Sequence, residues 1–291
     1  MASVIDLSKF PPPAVIDEFD YESILAEMRS DLLSRDPDLS LYESSPASKI
    51  LEVAAYREMI RRQRANERIR SLLTAYASGS DLDHIGVTYY STQRQVINPG
   101  DPDASPPVAP TKESDEDYLR RLLLAHDSWS TAGPRAAYRY YALSADGDVK
   151  DAYPISPAPT EVTVPVLSRH GDGTANQALL DTVEAALSAE KTRPQTDLVT
   201  VQSAAIQTYQ IVASLEIAHG PSPQVVRDTA EHQVRQFAET HHMLGVSVVR
   251  DAALAELYVD GVTRVHLDLS TDIVCDETEA PYCTSIEVTV A

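Results

Sequence analysis

Residues 49–86 read KILEVAAYREMIRRQRANERIRSLLTAYASGSDLDHIG. No Gly or Pro interrupts the run from Lys49 to Ser78. Ser45-Pro46 just before it has the chemistry of a helix start, Ser as N-cap and Pro in the first turn. The pattern predicts one long helix to about Ser78, with Gly79 as its C-terminal stop. Within it, Tyr56 to Arg70 holds six arginines against Glu58 and Glu67, or +4, in a chain of net charge −20. Arg57, Arg61, Arg64 and Arg68 follow steps of four, three and four, so they line one face. The opposite face carries Tyr56, Met59, Ile60, Gln63, Asn66 and Leu73. An arginine stripe beside a seam with two amides reads as a helix that packs against partners. Asp81 is placed to cap a short following helix that buries Leu82 and Ile85.

The chain's 291 residues suffice for two or three domains and a sizeable core. Its 43% hydrophobic and 23% charged residues are ordinary globular values. A pI near 4.7 argues against a nucleic-acid partner, which needs a basic footprint. It argues equally against an anionic membrane surface. No run approaches the roughly 18 to 20 apolar residues of a membrane span. The start, MASVIDLSKFPPP, lacks the charged and apolar regions of a signal peptide. The expectation is a protein made and folded in a cytosol. Cys275 and Cys283, with seven residues between them, match neither a disulfide framework nor a zinc pattern and read as ordinary thiols.

Outward from the long helix, Pro11, Pro12 and Pro13 make the first residues either an extended arm on a neighbouring surface or a tail. Asp20 to Ser34 is an amphipathic helix through Ile24, Leu25, Met28, Leu32 and Leu33. Asn98 to Pro110 holds five prolines and reads as an extended, semi-stiff linker. Ser114 caps a helix whose first-turn acids Asp115, Glu116 and Asp117 suit the dipole. A second helix restarts at Gly133-Pro134, with Trp129 expected against its tyrosines.

From Asp146 the period changes to two. Asp148 to Tyr153 and Glu161 to Leu167 are strands, the latter with Pro165 suggesting an edge or bulge. Gly171-Asp172-Gly173 is a turn with Thr174 as the next cap. Asp197 to Gln202 and Gln207 to Ile217 are strands. Gln224 to Thr240 is a helix ended by His241-His242, whose imidazoles suit the dipole. Asp251 caps a short helix, and Val262 to Leu269 and Thr284 to Val290 are the last strands. The fold class expected is α+β multidomain: a helical N-terminal part, then two small α+β domains with antiparallel sheets. The divisions fall at 1–97, 98–113, 114–204 and 205–291.

No nucleophile–base pattern, metal motif or phosphate loop emerges. Acidic residues around Asp117 are explained by capping, and Gly-Asp-Gly-Thr by a turn. Catalytic, metal and cofactor residues are therefore expected to be none, and the chain reads as a non-enzyme. A hydrolase with a carboxylate site assembled from distant residues would need convergent acids in a deep pocket.

Several phrases, in order, carry a resemblance. They are VIDLSKFPPPAVIDEFDYESILAE, AYREMIRRQRANERIRSLLTAYASGSDLDHIG, ESDEDYLRRL, AGPRAAYRYYALSADGDVKDAYPISPAP, VTVPVLSRHGDGTA, RPQTDLVTVQSA and DIVCDETEAPYCTSIEVTV. The chain resembles, over nearly its whole length, the baseplate assembly protein J family of contractile-tailed phages and R-type bacteriocins. The resemblance implies a structural wedge subunit of a tail particle, synthesised in the bacterial host cytoplasm. Implied partners are further copies of itself paired in a ring, a second wedge protein, a sheath-initiator-like baseplate protein and the hub and spike. The ring would couple a trigger to sheath contraction. Gln63 and Asn66 would then set register in a shared bundle. The stripe would meet acids of neighbouring chains, or else Glu22, Glu27 or Asp31 of the preceding helix. The other reading of the composition is an acidic scaffold or adhesin-type module outside any baseplate.

Overall fold

The computed structural model describes residues 11, 13, 18–130, 133–190, 192–218, 220 and 222–291. The N-terminal arm expected over 1–19 lies almost wholly outside the described residues. The chain divides into two compact units, Met1–Gln93 and Arg94–Ala291.

The first unit is helical: α1 (Tyr21–Arg35), α2 (Pro46–Ser71) and α3 (Gly79–Tyr90). Asp20 caps α1 and Ser45 caps α2, with Pro46 in its first turn. Ile24 and Leu25 of α1 pack on Ala55 of α2, with Met28, Leu51 and Met59 around them. The long helix stops seven residues earlier than its sequence suggests. Ser71 Oγ donates back to the Arg68 carbonyl, and the amides of Leu72 and Leu73 tighten onto Ile69 and Arg70. Such a tightened turn satisfies the last carbonyls without glycine. Gly79 instead opens α3, which Ser78 precedes as N-cap, and Asp81 lies in the first turn. Leu82 and Ile85 are buried as expected.

The second unit starts with a strap. Residues 98–110, which the prolines mark as an extended linker, fold back on themselves. Strand β1 (Val96–Asn98) pairs antiparallel with β2 (Thr111–Lys112), and Asp101 and Val108 exchange both backbone hydrogen bonds. Asn98 and Asp101 turn the chain by accepting from Gly100 N–H and Asp103 N–H. Gly100 sits at φ +73°, where an added Cβ would strike the Val108 carbonyl. The strap is tied to α4 (Asp115–Ala125). Arg121 holds Glu113 through two hydrogen bonds of 3.0 and 2.6 Å, and both side chains are only 4% exposed. Arg94 bonds the Glu113 carbonyl and Asp115, and Arg94 and Arg121 flank the buried Tyr118 ring.

After α4 come a 3-10 turn (Asp127–Trp129) and α5 (Arg135–Ala145). Trp129 is 65% exposed, edge-on to His126 at 4.9 Å, rather than packed on the tyrosines. The first three-stranded sheet has β4 (Glu161–Ser168) between β3 (Val149–Ala152) and β5 (Leu198–Ser203). Pro165 therefore sits in a central strand, not an edge. Its carbonyl accepts from Tyr153 N–H, and two residues on Ile155 and Thr163 exchange both backbone hydrogen bonds, so the ladder closes on either side of the one missing donor. Helix α6 (Gln177–Leu187) is capped by Asn176, whose side chain accepts from Leu179 N–H; Thr174 instead bridges back to Leu167.

The second sheet has β6 (Ala205–Ile217) between β7 (Val262–Leu267) and β8 (Glu279–Val290). Helix α7 (Pro223–His241) and α8 (Arg250–Leu257, N-capped by Val249 rather than Asp251) complete its core. That core joins Ile211, Leu215, Ala230, Val234 and Leu257, all fully buried. The α+β class holds. Each three-stranded sheet is mixed, however, not purely antiparallel: β3–β4 and β6–β7 run antiparallel, β4–β5 and β6–β8 parallel. Helices α6 and α7 lie within connections long enough to return the chain in the same direction, which parallel pairing demands.

No spacer separates the sheets, since β5 ends at Ser203 and β6 begins at Ala205. Leu167, Ala204, Leu244 and Ala280 form a small shared core. Beside it Asp151, fully buried, accepts from Arg139, from Ala152 N–H and, across the junction, from Leu244 N–H. Lys150 Nζ lies 3.1 Å from His242 Nδ1. Burial, then the Lys150 ammonium, lower His242 to about 4, with Asp172 opposing. Burial also lowers Lys150. His242 is thus a neutral junction residue, not the dipole-stabilised cation its helix-end position suggests. Both cysteines are free thiols, and burial raises Cys275 to about 11.

Two expectations follow. Arg121→Ala strands the Glu113 carboxylate in the interior and should cost about 3 kcal/mol, read by chemical denaturation. An unfolded His242 takes up its proton near the ordinary value of 6.5, whereas the folded one resists to about 4. Its contribution is full above the ordinary value and is lost as pH falls towards the folded one. Stability measured across that window should therefore slope upward with pH, and His242→Gln should flatten the slope.

Candidate interface on the second helix

Helix α2 presents one seam to α1 and the rest to solvent. Leu51, Ala55 and Met59 recur at steps of four and meet α1, and Arg62, Asn66 and Ile69 continue the same line, each half-buried. Arg62 bonds Glu58 at 3.2 Å and borders a hollow lined by Glu18, Asp20, Ser23 and Glu27. The arginine facing the first helix is therefore Arg62, which lies outside the stripe.

The stripe itself is exposed. Arg57, Arg64 and Arg68 make no ion pair among the described residues, and Arg61 reaches only Glu58, at 4.0 Å and 80% exposed. Glu22, Glu27 and Asp31 of α1 do not meet it; Asp31 pairs with Arg35 of its own helix. The apolar set does not stay together. Met59 and Asn66 belong to the α1 seam, Gln63 bonds Glu67 four residues on, and Leu73 lies past the helix end. Tyr56 is 54% exposed, and half-buried Ile60, three residues after Arg57 and four before Arg64, borders the stripe. Two residues absent from the sequence-based set join this face: Ile50, 68% exposed, and Val53, 57% exposed. Their three-residue spacing from each other and the four-residue step from Val53 to Arg57 carried the signal. The solvent face of α2 is thus apolar in its first half and cationic in its second.

The second unit treats its arginines differently. A cleft there is bordered by Asp117, Arg120, Lys150, Arg169 and Glu239. Asp117 accepts from Arg120 at 3.0 Å and Arg169 at 2.6 Å, while Asp115 takes Arg94. Asp115 and Asp117 of the first turn of α4 are engaged by guanidinium groups, and Arg120 and Arg169 tie α4 to β3 and the end of β4. Among the described residues no group of His, Cys, Asp and Glu could hold a metal ion, and no helix is long and apolar enough to cross a membrane.

Comparison with known proteins identifies the family. Residues 43–101 match the Baseplate J-like N-terminal domain and residues 130–203 the Baseplate J-like central domain. Baseplate protein J of Escherichia phage P2 is 43% identical over 295 residues, covering 98% of this chain and 97% of that protein. Among solved structures, a chain of the anti-feeding prophage baseplate, determined by cryo-electron microscopy, aligns with TM-score 0.40 and 14% identity. That alignment covers 62% of this chain and 44% of the other. With full-length identity of this degree and two matching domains, the chain belongs to the baseplate J family, structural proteins of the phage tail baseplate.

Proposed function

We propose that the chain is a wedge subunit of a contractile tail, placed in the virion or tail particle and acting without cofactor or catalysis. In this reading the helical first part docks, and the α+β parts build a ring with further copies around the hub and spike. The domain divisions at 1–97, 98–113, 114–204 and 205–291 would then be functional ones, with the strap bracing the ring-forming part. A second wedge protein and a sheath-initiator-like protein are the remaining partners, and the ring passes the trigger to the sheath.

The observation that carries this reading is the solvent face of α2. Ile50, Val53 and Tyr56 leave apolar surface in water, and Arg57, Arg61, Arg64 and Arg68 leave charge without a strong partner. In a chain of net charge −20, a cationic helix face finds complementary acid on any neighbour of like composition. Near the cationic end, Gln63, bonded to Glu67, adds a polar group at the edge of the contact. The Baseplate protein J relative supports the setting.

Reversing the stripe tests it. Arg61→Glu with Arg64→Glu changes two exposed side chains and should leave circular dichroism and melting of the purified chain unchanged. The yield of complete contractile particles, counted by electron microscopy after complementation of a deletion, should fall at least roughly tenfold. Normal incorporation of the double variant would remove this face from the assembly.

A further inference from the structure

The last strand is protected along one half of its outer edge and open along the other. Strand β8 lies at the edge of its sheet, with β6 as its only strand partner among the described residues. Near its start, Gly245 N–H donates to the Glu279 carbonyl at 3.0 Å, and Pro281 has no N–H to offer. A register shift opposite Tyr209 and Gln210 then bends the strand. These are devices that keep sheet edges from pairing. Beyond the shift they stop. Ser285 to Val290 reads SIEVTV, with no Pro, Lys or Arg and one acid.

The backbone of this half points outward. Ala291 N–H donates to the Leu215 carbonyl at 2.9 Å. By the alternation of a strand, the N–H and C=O groups of Ile286, Val288 and Val290 face away from β6. Their side chains lie on the side of α7: Val288 is in the core and Ile286 packs against it. At that end of the sheet Val290 is 38% exposed and, on the first turn of α7, Val225 is 63% exposed. The other edge of the sheet is unlike this one. Strand β7 carries Arg264 and His266, with His266 3.0 Å from Glu216.

We propose that the outer edge of β8 from Ser285 to Val290 pairs antiparallel with the same edge of a second copy, Val288 meeting Val288 across a two-fold axis. This deepens the self-pairing of the proposed function by naming its surface, and rests on that reading. Charge selects the register. With Val288 on the axis, Glu287 faces Thr289 of the other copy, and Ile286 faces Val290. With Glu287 on the axis, two carboxylates would stand opposed, which cross-strand pairs disfavour. The chosen register gives about six backbone hydrogen bonds and joins two sheets into one of six strands. It also brings two exposed Val290 side chains beside Ile286. So short an edge binds weakly in free solution and firmly where a ring holds the copies close.

The test uses the purified full-length chain at high concentration. Glu287→Cys with Thr289→Cys places thiols across a pair whose Cα separation suits a disulfide. Mild oxidation should give a covalent dimer, and neither single variant should. Sedimentation should show Thr289→Glu weakening the dimer and Thr289→Lys tightening it, each by roughly three- to tenfold, since either residue would face Glu287. Both positions are exposed, so folding is not at stake. Self-association that ignores both Thr289 variants and gives no cross-link overturns the edge and leaves self-pairing standing elsewhere. A chain that stays monomeric and uncross-linked at every concentration overturns the edge and self-pairing together.

Discussion

A carboxylate with no water to solvate it must be held by donors, and Asp151 is where this constraint organises the second unit. It is fully buried on β3 and takes its donors from Arg139 on α5, from its own strand and from the amide of Leu244 beyond α7. Any movement that parts the two sheets withdraws Leu244 from that oxygen. The neighbours reinforce it. Arg120 bonds the Lys150 carbonyl and lies 3.1 Å from Met243 Sδ, while Lys150 meets His242. Three consecutive residues after α7 are thus gripped by β3 and α4. Removing one partner from such a buried set costs more than the set contributes as a whole, so the junction behaves as one body.

The arginines divide along the same line. In the second unit Arg94, Arg120, Arg121, Arg139 and Arg169 each meet a carboxylate in side-chain pairs of 2.5 to 3.0 Å. They are consumed in bracing α4, α5 and the strap. On α2 the stripe arginines are spread over solvent with at most one 4.0 Å approach to acid. An acidic chain that spends cations freely inside one unit leaves a surplus on one helix of the other. Exposed pairs contribute little to folding, so the surplus adds little to the stability of that helix. Its effect falls on whatever approaches it.

Much of this was legible in the sequence because it follows from local chemistry. Ser45-Pro46, Asp20 and Ser114 announced helix starts that the structure keeps. The alternation of Tyr209, Ile211, Ala213 and Leu215 marked the face of β6 that is buried. What sequence could not give was set by contacts between distant residues. Parallel pairing of β4 with β5 leaves no local mark, because a central strand reads as a plain apolar run. Pro165 misled for that reason: a central strand tolerates one missing N–H when the rungs beside it, Tyr153 N–H to Pro165 O and the Ile155–Thr163 pair, still close. The proline-rich strap misled in the opposite way. Five prolines suggest stiffness, but Asn98, Gly100 and Asp101 supply turn chemistry, and Gly147 leaves room where Val96 O would stand 2.8 Å from an added Cβ. On α2 the arginine period was plain. The side facing α1 was not, since Met59 and Tyr56 look alike until a neighbour distinguishes them.

A closed assembly needs more than one kind of contact, and the two proposed surfaces differ in symmetry. An edge that pairs with itself about a two-fold axis stops at two copies. A cationic helix face cannot satisfy itself in this way, because like charges would meet; in the proposed assembly its complement is a different, acidic surface. The two surfaces lie in different units, α2 in the first and β8 in the second. The buried pairs around Asp151 and Glu113 tie the strap, α4, β3 and the chain after α7 together within the second unit, through donors that no water replaces.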